Sequence, residues 1–348
     1  MNEITISEFY DNEKHARGAD MLKFYLMPFV MFVLFGFPTR FGSYIQTFSN
    51  FAAPAFYILC GFFVLCPDAQ KRTKKIASAL KKSFKFFIFL FATYVTINIF
   101  YFSFIGAFGI IKTFSKWIIF EFLVLNIWPV ILPAGNSIWF IQSLFYAYVF
   151  FYLADRIKLL RFNLPLFVLF YLIMLFTGEF SALAGFPHLG YPFIPGGAVT
   201  RAIPYMLLGM LIRKNADRLL TLRPRVYVIF FVIGMALAVL EVFLLSYFHI
   251  LTYYGHLIGL GVMALSVCCL ALSAPQMKKT FITAHGRNYA KRIYVLCQPV
   301  SLAITLLVSS SATKYVQYIV AFKSIIVFFI CLVIAFLIGI IKYYFIPK

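Results

Sequence analysis

Residues 71–106 read KRTKKIASALKKSFKFFIFLFATYVTINIFYFSFIG, and this stretch decides the fold. Seven lysines and arginines crowd residues 71–85, and no charged residue follows Lys85 until Lys112. The uncharged run is long enough to cross a hydrocarbon core of about 30 Å, which takes about 20 helical residues. Lipid offers the backbone no hydrogen-bond partner, so only a helix or a closed barrel can span it. A barrel strand would alternate polar and apolar residues over about ten positions. This run is apolar without alternation, so a helix is predicted. The basic lead-in has helical spacing and belongs at one membrane surface.

The same pattern recurs in both directions. Apolar stretches fall at about 22–39, 48–66, 84–106, 138–154, 164–178, 202–212 with flanks, 226–247, 255–273, 292–310 and 319–341. They predict an all-α, polytopic integral membrane protein with about ten transmembrane helices in one bundle. The 348 residues are 63% hydrophobic and only 12% charged, about half the charge of a soluble domain. The stretch 114–131 (FSKWIIFEFLVLNIWPVI) is also apolar but carries Lys116 and Glu121, and is expected to lie in the outer interface.

Charge then orients the chain. With a cytoplasmic amino terminus, 25 of the 31 lysines and arginines fall on the inner side. The outer side keeps Arg40, Lys112, Lys116, Arg201, Lys314 and Lys323. This is the positive-inside bias. It places both termini in the cytoplasm and accounts for most of the net charge of +20. Basic loops this short and dispersed call for no nucleic acid; the bilayer, with its anionic headgroups, is the partner. Residues 1–21 form a polar cytoplasmic segment without an apolar core, so no cleaved signal peptide is expected there, and 22–348 form one membrane domain. Six cysteines lie in or at the ends of apolar spans, which predicts no disulfide, and no His/Cys cluster has metal-ligand spacing.

Polar groups inside a membrane are costly and therefore candidates for function. Lys23, near the inner end of the first span, fits either a side chain reaching out to the interface or an anion site facing the cytoplasm. Glu241 must be paired, protonated or wet. Trp139 and Gln142 are three residues apart and share a helical face. Arg201 opens the sixth span from outside, within reach of Glu179 or Glu241. Outer aromatics such as Trp128, Phe186, Tyr191 and Phe193 suit either sugar stacking or a headgroup-level belt. No Ser-His-Asp order, P-loop or GxGxxG motif occurs.

Five segments in order resemble the acyltransferase-3 family of multi-span membrane acyltransferases. They are Arg17-Gly-Ala-Asp20-Met-Leu-Lys23, Pro54-Ala-Phe56-Tyr-Ile-Leu-Cys60-Gly61-Phe62, Ile138-Trp139-Phe140, Arg201-Ala-Ile-Pro204 with Gly209, and Ile293-Tyr294-Val-Leu-Cys297-Gln-Pro299. The resemblance implies that 22–348 is an acyltransferase-3-like domain. Such a protein takes an acyl group, acetyl above all, from cytoplasmic acyl-CoA and delivers it to a hydroxyl of a surface glycan or glycolipid, in a bacterial inner (plasma) membrane. Acyl-CoA is then a co-substrate, with no bound cofactor and no metal. Arg17, Lys23 and Arg72 would hold the donor. Trp139, Gln142, Arg201, Tyr294 and Cys297 would line the pocket. The family's two histidines are replaced, by Leu34 eleven residues after Lys23 and by Cys297 in the last motif; Cys60 stands where the family has serine. A base would then come from elsewhere, with Glu121, His188 and His256 as candidates. The alternative is a catalytically silent relative acting in binding, transport or assembly of surface polysaccharide; a small-solute transporter comes third.

Overall fold

The computed structural model of the chain describes residues 6, 9–10, 16–38, 40–104, 138–178, 180, 197–248, 257–309 and 316–345. Every regular element among them is helical. The main helices are α1 (Arg17–Tyr25), α2 (Met27–Phe35), α3 (Arg40–Ser49), α4 (Ala52–Val64), α5 (Ala69–Phe104) and α6 (Ile138–Arg156). They continue with α7 (Asn163–Thr177), α8 (Ile203–Lys214), α9 (Pro224–Tyr247), α10 (Ile258–Leu272), α11 (Phe281–Ser309) and α12 (Lys323–Phe345). Among the described residues, eight helical stretches are long and apolar enough to cross a membrane. α8 and α10 overlap the predicted spans at 202–212 and 255–273 but, at 12 and 15 residues, are shorter than those eight. The chain is an all-α polytopic membrane protein. The predicted interfacial segment 114–131 lies outside the described residues.

α1 and α2 form one apolar stretch, hydrogen-bonded through Leu26, whose N–H donates to Leu22 O (2.9 Å) and whose carbonyl accepts from Val30 (3.0 Å). In α5 the basic lead-in and the span are one helix, continuous over 36 residues, about 54 Å. No glycine or proline interrupts 69–104. Asp68 starts it, accepting from the backbone N–H of Lys71 (3.1 Å) and Gln70 (2.8 Å). The Lys71 N–H leads in holding this carboxyl below the usual carboxylate range.

The outward faces of the bundle need lipid. On α9, Val228, Ile229, Phe230, Val232, Ile233, Val239, Leu240 and Phe243 are all exposed, and α12 repeats the pattern. Water would not tolerate apolar faces of this extent. Inside, small residues bring helices together. A Cβ on Gly61 of α4 would collide with the backbone of Met206 on α8, and one on Gly209 of α8 with the backbone of Ile58 on α4. Close crossing at small residues is how membrane helices gain packing energy without a hydrophobic drive between them.

Two apolar clusters result. One is built mainly on α4, α6, α8 and α10. The other joins α2, α5 and α11 with α12. Val30, Phe56 and Phe140 pack against both. The basic connections also gather at one end. Arg17 Nη1 donates to Met277 O (2.9 Å), tying α1 to the α10–α11 link. Arg72, Arg156, Lys158, Arg161 and Lys214, from three connections, line one hollow of about 730 Å³. Contact among these loops is what an alternating weave requires of every second connection.

A candidate active site at the seam of the bundle

A cavity of about 240 Å³ opens at the seam between the two clusters. α1 supplies Lys23, α2 supplies Met27, Val30, Val33 and Leu34, and α4 supplies Ala52, Ala53, Phe56 and Cys60. Phe86 comes from α5, Trp139, Phe140 and Ile141 from α6, and Arg287, Ala290, Lys291 and Tyr294 from α11. The lining is almost wholly apolar, with the cations at one end. Gly286 lets α11 approach α1 so closely that a Cβ there would strike the Asp20 carbonyl, which sets Arg287 beside the start of α1. Lys23 and Leu34 are eleven residues apart, so the lining runs about 16 Å along the bundle.

Lys23 is held in place. Its Nζ lies 2.8 Å from Asp20 Oδ1 and 5.4 Å from the centre of the Phe63 ring. A lysine fixed between a carboxylate and an aromatic face, at the mouth of an apolar cavity, can receive an anionic headgroup while the cavity takes its tail.

Four of the five motif segments thus reach one cavity, through Lys23, Phe56 with Cys60, Trp139 with Phe140, and Tyr294. Leu34 lines it as well, so the position the resemblance gives to a histidine base does face the cavity. The fourth motif touches it from behind: Arg201 lies with its guanidinium carbon 5.3 Å from the centre of the Trp139 ring. Cys297 and Gln142 are fully buried and do not line it. Cys297 Sγ donates to Tyr294 O at 3.1 Å, as an ordinary packed thiol does.

Arg17 and Arg72 stand apart from the cavity. Arg17 binds the Met277 carbonyl as described above. Arg72 Nε pairs with Asp155 Oδ1 (2.7 Å), Asp155 also accepts from Thr73 Oγ1 (2.5 Å), and Arg72 lines the larger basic hollow. Glu241 does not pair with Arg201. Its oxygens accept from the N–H groups of Ile258 (3.0 Å) and Gly259 (2.9 Å), at the start of α10, where a helix favours negative charge. Glu121, His188, His256, Glu179 and the outer aromatics Trp128, Phe186, Tyr191 and Phe193 lie outside the described residues. No group of three or more potential metal ligands occurs among the described residues.

Sequence reasoning missed Arg287 and Lys291 as site residues. Their signal was present: with Tyr294 they sit at i, i+4 and i+7, one face of a helix. Arg292, immediately before the fifth motif, turns the other way and donates to Ala335 O on α12 (2.9 Å).

Fold and site together define a polytopic membrane protein with an apolar cavity fronted by cations. A family model described as an acyltransferase domain, Acyl_transf_3, matches residues 18–344, and the chain belongs to this acyltransferase-3 family. No curated protein and no solved structure matches it.

Proposed function

We propose that the chain transfers an acyl group, acetyl above all, from cytoplasmic acyl-CoA to a hydroxyl of an extracytoplasmic glycan or glycolipid. The observation that carries this reading is the single cavity shared by separate motif segments, cationic at Lys23, Arg287 and Lys291 and apolar toward Leu34 and Trp139. In this reading the membrane is a bacterial inner membrane, and the positive-inside bias supports a cytoplasmic side for the Lys23 end and both termini. Acyl-CoA joins a phosphate-rich head to an apolar arm, and the cavity offers cations followed by apolar wall. The balance is simple: the thioester C–S bond breaks, an ester C–O bond forms, and the hydroxyl proton leaves with the thiol of CoA. Arg72 and Arg17, though outside the cavity, lie on the same basic face, where they attract the donor electrostatically.

A proton acceptor is needed near the reacting hydroxyl. No histidine or carboxylate lines the cavity among the described residues. Glu121, His188 and His256 are the candidates for this role. One observation favours a second reading, a silent relative that binds or moves surface polysaccharide: leucine occupies the cavity position of the family histidine. The test is to delete the gene and compare envelope glycans by mass spectrometry. Loss of acetyl-sized mass supports transfer; intact acylation with lost polymer or export supports the silent relative.

A further inference from the structure

Arg201 is used by no step above, and its setting is unusual. It lies in a single π-helical turn, Ala198–Ala202, immediately before α8. Such turns widen a helix by one residue and recur at functional sites. The side chain is 5% exposed. Among the described residues its Nε and Nη2 have no acceptor, although both are fully buried. These two atoms form one edge of the guanidinium plane, the edge that takes both oxygens of a carboxylate or phosphate side by side. Glu241, the carboxylate that the sequence offered, does not pair with it; its two oxygens accept from the start of α10. Neither ion pair found among the described residues includes Arg201. The stack on Trp139 offsets part of the burial cost of the cation but satisfies no N–H. A desolvated cation with an unsatisfied two-donor edge is a poor structural element and a good anion receptor.

We propose that Arg201 is the recognition site for an anionic group, a carboxylate or a phosphate, carried by the acceptor. This rests on the acyl-transfer reading, which puts Trp139 and Arg201 at the extracytoplasmic end and the donor cations at the other. The anion seats on the Nε/Nη2 edge, and the sugar ring lies toward Trp139, which lines the cavity. Acidic glycans are then preferred over neutral ones.

The test is calorimetric titration of the full chain in nanodiscs with methyl β-D-glucuronide, glucose 1-phosphate and neutral methyl β-D-glucoside. At least one anionic sugar is expected to bind about 10-fold or more tighter than the neutral one, as a charge-assisted pair in a buried site provides. A glucuronide preference identifies a carboxylate, and a glucose 1-phosphate preference a phosphate. Arg201→Gln should erase the preference. Arg201→Lys keeps the charge, loses the paired edge, and should lower it about 5-fold; it carries the test if the glutamine variant does not fold. Equal binding of the three sugars, no binding of any, or a preference unchanged in both variants overturns the proposal. Acetyl-CoA is titrated on the same preparations. Donor binding without acid preference overturns this inference alone. Acid preference without donor binding overturns the transfer reading, and with it the assignment of the anion to an acceptor.

Discussion

Lys23→Met tests the cavity mouth, but alone it confounds two effects. The ammonium it removes lies 2.8 Å from Asp20, and the two side chains are only 19% and 12% exposed. Removing one partner of a fully buried pair costs roughly 3–5 kcal/mol, because the other charge loses that compensation; this pair is part-buried. The residual exposure argues for the lower end, about 3 kcal/mol, or a fall in Tm on the order of 5 °C. A loss of donor binding in that variant would be hard to assign. Lys23→Met with Asp20→Asn removes both charges and retains similar shapes. Its stability should return to within about 1 kcal/mol of the parent, since replacing both partners of a buried polar contact is nearly neutral. Donor affinity should nevertheless stay low. A hydrogen bond from a charged donor contributes about 1.5–3 kcal/mol, which is about a 10- to 150-fold loss for acetyl-CoA. Thermal unfolding in detergent and calorimetric titration in nanodiscs measure the two quantities separately. If the double variant is stable and binds acetyl-CoA as the parent does, the donor does not sit at this mouth. The reasoning from Lys23 then fails, and the Arg72 hollow becomes the place to look.

Leu34→His places an imidazole in the cavity wall and should raise acetyl transfer by about 100-fold or more, the usual contribution of a general base. A folded, donor-binding variant with unchanged rate would place the chemistry elsewhere. Gly209→Leu should destabilise the protein by at least about 1–3 kcal/mol, because the added side chain meets the α4 backbone at Ile58; an unchanged Tm would refute the described crossing. A topology reporter fused after Lys85 should report the cytoplasm, and one within 185–195 the opposite side. The reverse pattern would invert the proposed direction of transfer.

The legible part of this protein was its weave. Apolar runs of spanning length and basic residues in every second link follow from hydrocarbon thickness and charge alone, and both are linear along the chain. The helical fold, the approximate positions of the spans and the family were therefore open to reading from residues such as Lys71–Lys85 and the motif around Arg17–Lys23. The continuity of α5 through its basic lead-in was also available, in the absence of any glycine or proline from 69 to 104. The site was legible only as a set of separated candidates, of which Lys23, Trp139 and Tyr294 prove to share a cavity.

What the tertiary structure decided was partnership. Sequence shows that Arg72 is basic; only packing shows that Asp155, 83 residues away, claims its Nε. Sequence offered Glu241 to Arg201; the start of α10 takes both carboxylate oxygens, and among the described residues two buried N–H groups of Arg201 are left without an acceptor. Arg287 and Lys291 read as two more basic residues until Gly286 brought α11 against α1. Hydropathy and charge act residue by residue along the chain, and so the string itself records them. Cavities and ion pairs depend on which helices cross and at what rotation, and that is fixed by contacts between residues hundreds of positions apart.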